Sequence, residues 1–207
     1  MDNYYPVMLK MKGKRAVVVG GGKIAERKIK GLLEAGADIL VISPKVTDKL
    51  LRLATDKTIK WEQKSFEPAD IKGAFLVITA VNERAVNQSV QDSITDQQLF
   101  CRSDDQGEGN FILPSLFRQG KLTIAVSTSG ASPGMAKKIT AGFSSVYDDT
   151  FGEYLDFLDQ CRKYIRTSIK DPDKRKRILT EILDEEFLNL SHKEREERFL
   201  GLCIERG

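Results

Sequence analysis

The sequence predicts an α/β fold: a mainly parallel sheet covered on both faces by helices, then a small strand-containing region and a helical C-terminal domain. Three observations carry this. Short apolar runs rich in β-branched residues recur through the first half, and helical patterns alternate with them. After about residue 110 the rhythm changes, first to a strand pair and then, from Ser132 onward, to helices alone.

The elements follow in order. Arg15 to Val19 is a buried strand, and Gly20-Gly21-Gly22 follows it directly. A helix then places Ile24, Ala25, Ile29, Leu32 and Leu33 on one face and stops at Gly36. Ile39 to Ile42 is the second strand, which closes a strand–helix–strand unit. Thr47 caps a helix reaching Ala54, and an alternating strand runs from Ile59 to Gln63. Phe75 to Ala80 is a strongly buried strand, Glu83 to Ile94 its following helix, and Leu99 to Arg102 a further strand.

Downstream, Phe111 to Leu113 and Leu122 to Ser127 read as strands separated by a turn at Gln119-Gly120. Ser132 caps the next helix, with Pro133 at its first position. A later helix carries Phe151, Leu155, Leu158 and Ile165 on a common stripe, and Ser191 to Glu194 forms a capping box that opens the last one.

Composition narrows the function classes. The 207 residues are 41% hydrophobic and 30% charged, as in an ordinary globular protein, and no apolar run is long enough to cross a membrane. The first residues lack the pattern of a signal peptide. Cys101, Cys161 and Cys203 are odd in number and far apart, which fits a reducing cytoplasm better than a disulfide framework. His192 is the one histidine, so no metal site is expected. A net charge of +3 does not imply nucleic acid, and the basic Lys174 to Arg177 run, with acidic residues close behind, reads as a solvated helix face.

Gly20-Gly21-Gly22-Lys23-Ile24-Ala25 satisfies G-x-G-x-x-A between a strand and the helix that returns to the next. The first glycine permits the tight turn, the second lets the backbone approach a pyrophosphate, and Ala25 allows close helix–strand packing. Free N–H groups and the helix dipole then meet the phosphate charge. This makes the sheet a Rossmann-type, doubly wound one with NAD as the expected cofactor, held by Gly20, Gly21, Gly22, Lys23 and Ile24. The second strand closes on Ser43-Pro44-Lys45 where an acidic residue is usual. Ser43 can hydrogen-bond a ribose hydroxyl and Lys45 can favour a 2′-phosphate, so these residues leave NAD and NADP open. Thr79, Ala80 and Asn82, after the central strand, are expected to face the ribose or nicotinamide; Asn82 also suits a helix cap.

Two further segments are polar where strands end: Cys101-Arg102-Ser103-Asp104-Asp105, and Ser127-Thr128-Ser129-Gly130-Ala131-Ser132-Pro133. Hydroxyls and glycine at a helix start suit carboxylate or phosphate groups. Asp104 and Asp105 are candidates for a general base.

These residues resemble one known family, the precorrin-2 dehydrogenases of siroheme biosynthesis, including the N-terminal part of siroheme synthases. The resemblance rests on Val18 to Lys28 with Leu32 to Ala37, on Leu76 to Ala80, on Phe111 to Ser115, and on Leu122 to Pro133, in matching order from about residue 5 to residue 145. It implies an NAD-binding Rossmann domain over residues 1–112, a dimerisation region over 113–146 and a helical domain over 147–207. It further implies a homodimer that oxidises precorrin-2, a tetrapyrrole, to sirohydrochlorin with NAD⁺; some members also insert ferrous iron. The family's aspartate base maps onto Asp105. Here Asp104 stands where the family usually has a hydrophobic residue, which leaves both as candidates. Ser127, Thr128, Ser129 and Gly130, with Arg102, Arg118, Lys137 and Lys138 as cations, are the expected anchors for the substrate carboxylates.

Two rival readings are an NAD(H)-sensing module without catalysis and a dehydrogenase of small hydroxy or amino acids. The second polar segment argues against the first, and the lack of a well-placed His or Lys base against the second.

Overall fold

Arg15–Val19 (β1) is a central strand because four of its five residues are buried and both edges are paired. In this computed structural model, which describes residues 4–103 and 108–204, the chain divides into two units between Leu113 and Pro114. The first unit is a parallel sheet. β1 lies between β2 (Asp38–Ile42) and β4 (Leu76–Thr79), β3 (Lys60–Glu62) extends one side and β5 (Leu99–Arg102) the other.

The alternation of side chains sorts this sheet's residues between two cores. Ala16, Val18, Ile39, Val41, Leu76, Ile78 and Cys101 pack with Ala25, Ile29 and Leu32 of α1 (Lys23–Glu34) and Leu50 of α2 (Asp48–Thr55). Val17, Val19, Leu40, Ile42, Val77 and Phe100 pack on the other face with Val90 of α3 (Arg84–Asp92) and Ile71. Helices therefore cover both faces, as the doubly wound prediction requires. α1 stops because Gly36 takes φ +75°, with the Ala37 amide donating back to the Leu32 carbonyl at 2.9–3.1 Å together with Gly36 to Leu33. The expected helical face needs one correction: Ile24 is 42% exposed, since it sits in the first turn beyond the sheet's cover.

In the second unit, Ser115–Gln119 (β6) and Leu122–Val126 (β7) form an antiparallel hairpin. Gly120, at φ +54°, supplies the conformation that a two-residue hairpin loop needs at its first position. The strand expected at Phe111 to Leu113 is displaced to Ser115. Pro114 lacks an N–H, and Phe111 and Leu113 pack instead against the core of the first unit.

The α-helices that follow among the described residues are α4 (Pro133–Gly142), α5 (Asp149–Ser168), α6 (Pro172–Glu181), α7 (Glu185–Asn189) and α8 (His192–Ile204). Ser132 caps α4 through the Met135 amide, as expected, and Ser191 and Glu194 form their reciprocal box. Phe117, Phe143, Tyr147, Phe151, Tyr154 and Phe157 make a continuous run of ring contacts from the hairpin into the helical core. The buried stripe of α5 is Tyr154, Phe157, Cys161 and Ile165; Phe151, Leu155 and Leu158 are only partly covered. The face turns because Tyr154 donates its hydroxyl to the Ile182 carbonyl at 2.5 Å and lies under the Arg195 guanidinium. Arg195 is itself buried, donating to the Phe187 and Leu188 carbonyls at 2.8 and 2.6 Å.

The three cysteines are free thiols. Among the described residues no helix is long and apolar enough to cross a membrane, and no cluster of ligating side chains suits a metal ion.

Candidate functional site at the carboxyl ends of the strands

The strand order reverses between β1 and β4, so the turn after β1 lies at the topological switch point, where doubly wound sheets bind ligands. Four backbone contacts gather the loops there. Gly20 donates to the Ile42 carbonyl at 2.9 Å, Thr47 to Gly21 at 2.9 Å, Ala80 to Val19 at 2.8 Å and Ser103 to Thr79 at 3.0 Å.

The three glycines have different reasons to be glycine. Gly20 holds φ +121° and faces the Ala80 carbonyl, which a β-carbon would overlap. Gly21 faces the Lys45 carbonyl and Val46 in the same way. At Gly22 a β-carbon would meet nothing within 4 Å. Gly22 is also the N-cap of α1 and offers no side-chain cap, so the first N–H groups of that helix are not satisfied by a side chain. A space left open beside an uncapped helix start fits a pyrophosphate.

Glu26 brings a negative charge into the same first turn, but it is drawn sideways. Thr47 donates to it at 3.0 Å and Lys49 pairs with it at 3.2 Å, and these bonds hold its carboxyl below the ordinary value.

On the β2 side, Ser43 is buried and its hydroxyl donates to the Lys45 carbonyl at 2.7 Å. Its lone pairs remain able to accept from a ribose hydroxyl. Trp61 donates to the Ser43 carbonyl at 2.9 Å and Gln63 to that of Pro44 at 3.3 Å, so the turn is braced from β3. Pro44, Lys45 and Lys23 are exposed.

On the β4 side, Thr79 is fully buried, with its hydroxyl unpartnered among the described residues; it underlies the loop. Ala80 is partly exposed and Asn82 exposed. Asn82 is not the cap of α3, because that position falls to Glu83 one residue later. The loop is held instead by Asn87, fully buried on α3, whose side-chain amide donates to the Val81 carbonyl at 3.2 Å.

Asp104 and Asp105 lie outside the described residues. Their flanks are described. Arg102, expected as a substrate cation, is 6% exposed and donates to Gln91 of α3 at 2.9 Å. A guanidinium so enclosed braces the end of β5 and does not present itself to a ligand in solvent. Beyond the aspartates, Asn110 clips onto β5: its side chain accepts from the Phe100 amide at 2.7 Å and donates to the Gln98 carbonyl at 2.8 Å. Beside Cys101, the Lys28 ammonium is half-buried on α1, and burial lowers its proton affinity.

In the second unit, the Ser127 to Ser132 loop is ordered by its own hydroxyls. Ser129 donates its amide to the Ser127 hydroxyl and Ser132 to that of Thr128, both at 3.0 Å. Ser129 and Gly130 are consecutive left-handed residues, φ +49° and +85°. The Ser129 amide is thus already engaged within the loop. Thr128 is partly exposed, whereas Ser127, Ser129 and Gly130 are exposed, as are Lys137 and Lys138.

Residues 7–115 match the family model described as putative NAD(P)-binding, and residues 151–198 match the SirC C-terminal domain. The precorrin-2 dehydrogenase of Priestia megaterium is 36% identical over 192 residues, covering 93% of this chain and 95% of that protein. The chain belongs to the precorrin-2 dehydrogenase family. The family member from Bacillus subtilis is 34% identical over 158 residues, with 76% of this chain and 98% of that protein covered. A solved structure of SirC, precorrin-2 dehydrogenase, superposes with a TM-score of 0.84 at 35% identity, covering 96% of this chain and 98% of that one. Siroheme synthase 1 of Aeromonas salmonicida is 31% identical, and the match spans 39% of its length.

Sequence reasoning misses Asn87 and Gln91 at this end of the sheet, and Gln98 and Asn110 toward the amino end of β5, where Gln98 donates to the Ile71 and Ala74 carbonyls. The signal available was weak. Asn87 and Gln91 are polar residues spaced one helical turn apart near the apolar Val90, where a core-facing helix would ordinarily be apolar.

Proposed function

We propose that this chain oxidises precorrin-2 to sirohydrochlorin with NAD⁺, in siroheme synthesis. The observation that carries the reading is the open, uncapped start of α1 at Gly22, at the switch point of a chain similar along nearly its whole length to enzymes named for this reaction.

When bound, NAD⁺ supplies the two-electron acceptor at its nicotinamide ring. Gly22, with the first amides of α1, holds the pyrophosphate, and Gly20 and Gly21 shape that turn by their close approach to Ala80 and Lys45. Ser43 accepts from a ribose hydroxyl, with Pro44 and Lys45 beside it. Ala80 and Asn82 line the nicotinamide side, over the buried Thr79. Lys23 and Ile24 flank the phosphate from the first turn.

The substrate must lose a hydride and a proton. Asp105, with Asp104 beside it, receives the proton. The Ser127 to Gly130 loop, with the cations Arg118, Lys137 and Lys138, binds the carboxylates of the macrocycle. Residues 1–112 form the cofactor domain, 113–146 the dimerisation region and 147–207 a helical domain.

A homodimer is part of the proposal. A two-stranded ribbon such as β6–β7 has little stability of its own, and Leu116, Met135, Ile139 and Val146 leave apolar surface exposed on this region. A single protomer mass by light scattering at micromolar concentration would remove that part. The three free thiols support a cytoplasmic setting. The test of the whole is anaerobic turnover of precorrin-2 with NAD⁺, in which NADH and sirohydrochlorin are expected to form together.

A further inference from the structure

Helices α1 and α2 end on the same backbone turn with different residues. α1 leaves the helix at Gly36, φ +75°, where Gly36 and Ala37 donate their amides back to the Leu33 and Leu32 carbonyls. α2 leaves it at Lys57, φ +57°, where Lys57 and Thr58 donate to the Ala54 and Leu53 carbonyls. Glycine takes this left-handed conformation without strain and lysine does not. A lysine is therefore held here against the local preference, and what it adds over glycine is its ammonium.

That side chain lines a cleft. A cavity of about 540 Å³ lies between the carboxyl end of α2 and the start of β3, a volume within the range of small-molecule sites. Leu51, Ala54, Ile59 and Trp61 give it an apolar lining, and Lys57 and Lys60 are its cations. Its other polar donors are already engaged. Thr55 donates its hydroxyl to the Leu51 carbonyl, and Trp61 its indole N–H to the Ser43 carbonyl, both at 2.9 Å. What Trp61 has left to offer is ring surface. Among the described residues neither Lys57 nor Lys60 makes an ion pair or a side-chain hydrogen bond. The cleft also stands apart from the cofactor loops: those gather at the carboxyl ends of the strands, whereas Lys60 opens β3.

We infer that this cleft is a second binding site, for a flat conjugated carboxylate held between the Trp61 ring and the paired cations Lys57 and Lys60. The apolar body of such a ligand lies on Trp61 and the aliphatic wall, and its negative margin meets two ammoniums that no other group neutralises. A further strand is a poorer occupant. β3 is the edge of the sheet and three residues long, and Lys60 and Glu62 on either side of Trp61 discourage pairing there. The site is additional to the dehydrogenase reaction and does not rest on it. A ligand of this chemistry has two sources, a tetrapyrrole macrocycle or a smaller aromatic acid.

The test uses the full-length protein with NAD⁺ saturating, so that the dinucleotide site is filled. Uroporphyrin, a macrocyclic polycarboxylate, and naphthalene dicarboxylate are titrated in turn by calorimetry. At least one is expected to bind and to quench Trp61 emission; uroporphyrin alone marks a macrocycle site, and the naphthalene acid a site for smaller aromatics. An exposed ion pair contributes up to about fivefold in affinity, so Lys57→Gly combined with Lys60→Ala is expected to weaken that binding about tenfold or more. Because Lys57→Gly removes a strained residue, the Tm is expected not to fall, and NAD⁺ affinity is expected to hold. Leu51→Asp, at an exposed position, sets a carboxylate in the wall and is expected to abolish binding. Equal affinity in the wild type and the double lysine variant places the probe elsewhere and overturns the inference, as does failure of both probes to bind the wild type.

Discussion

The carbonyl oxygen of Lys45 occupies the space that a side chain on Gly21 would require, and the Thr47 amide closes the same contact by donating to the Gly21 carbonyl. The loop after β2 and the loop after β1 are in this way one packed unit, and Gly22 is the member of the turn left facing open space.

Alanine substitutions separate the two roles. Gly21→Ala forces the loops apart, and overpacking of this kind costs about 1–3 kcal/mol, seen as a lowered Tm. Gly22→Ala meets nothing and keeps the Tm, but it places a methyl where the pyrophosphate must approach. Its Kd for NAD⁺ is expected to rise about tenfold, equivalent to about 1.4 kcal/mol. Unchanged NAD⁺ affinity in Gly22→Ala, by calorimetric titration, would remove the pyrophosphate from this turn.

Trp61 is the chain's one tryptophan, and its indole donates to the Ser43 carbonyl behind the proposed ribose site. Titration with NAD⁺ is therefore expected to change its emission, saturably and in step with the calorimetric affinity. Ser43→Ala is expected to weaken that affinity by the worth of one hydrogen bond, about 0.5–1.5 kcal/mol. A flat emission titration with demonstrated binding would move the ribose away from Ser43.

Replacing the proton acceptor should cost about 10²–10⁴-fold in kcat, the usual range for a general base. The loss is expected in Asp105→Ala, with NAD⁺ binding intact. Full activity there, and loss in Asp104→Ala, would shift the assignment by one residue.

Cys161 offers a pH test of the helical core. Burial among Tyr154, Phe157 and Ile165 pushes its thiol up to about 12. In the unfolded chain a cysteine ionises near pH 8.5. The folded state therefore holds its proton longer, and this contribution to stability is complete below the unfolded value and lost as pH rises toward about 12. Urea midpoints measured upward from pH 8 are expected to fall, and the fall to be shallower in Cys161→Ala. An identical pH dependence in both proteins would contradict the burial of this thiol.

Much of this architecture was readable because local rules and the global fold agree. The runs at Val17 to Val19 and Leu76 to Ile78 are buried on both faces of a parallel sheet, so they are apolar without interruption. Gly36 and Ser132 terminate and begin helices by chemistry confined to a few neighbouring residues. What was not readable depends on packing between distant segments. The turn of α5 onto Tyr154 depends on a carbonyl at Ile182, and the burial of Arg102 on Gln91; neither partner is marked in the local pattern. Gly20, Gly21 and Gly22 look alike as letters and differ only in what stands opposite each.

The most direct measurement is anaerobic incubation of the purified protein with precorrin-2 and NAD⁺, following NADH absorbance and the macrocycle spectrum together. The account predicts one NADH formed for each sirohydrochlorin, with neither appearing when NAD⁺ or protein is omitted. Demonstrated NAD⁺ binding without NADH or sirohydrochlorin would contradict it, and would leave a dinucleotide-binding chain without this dehydrogenase activity.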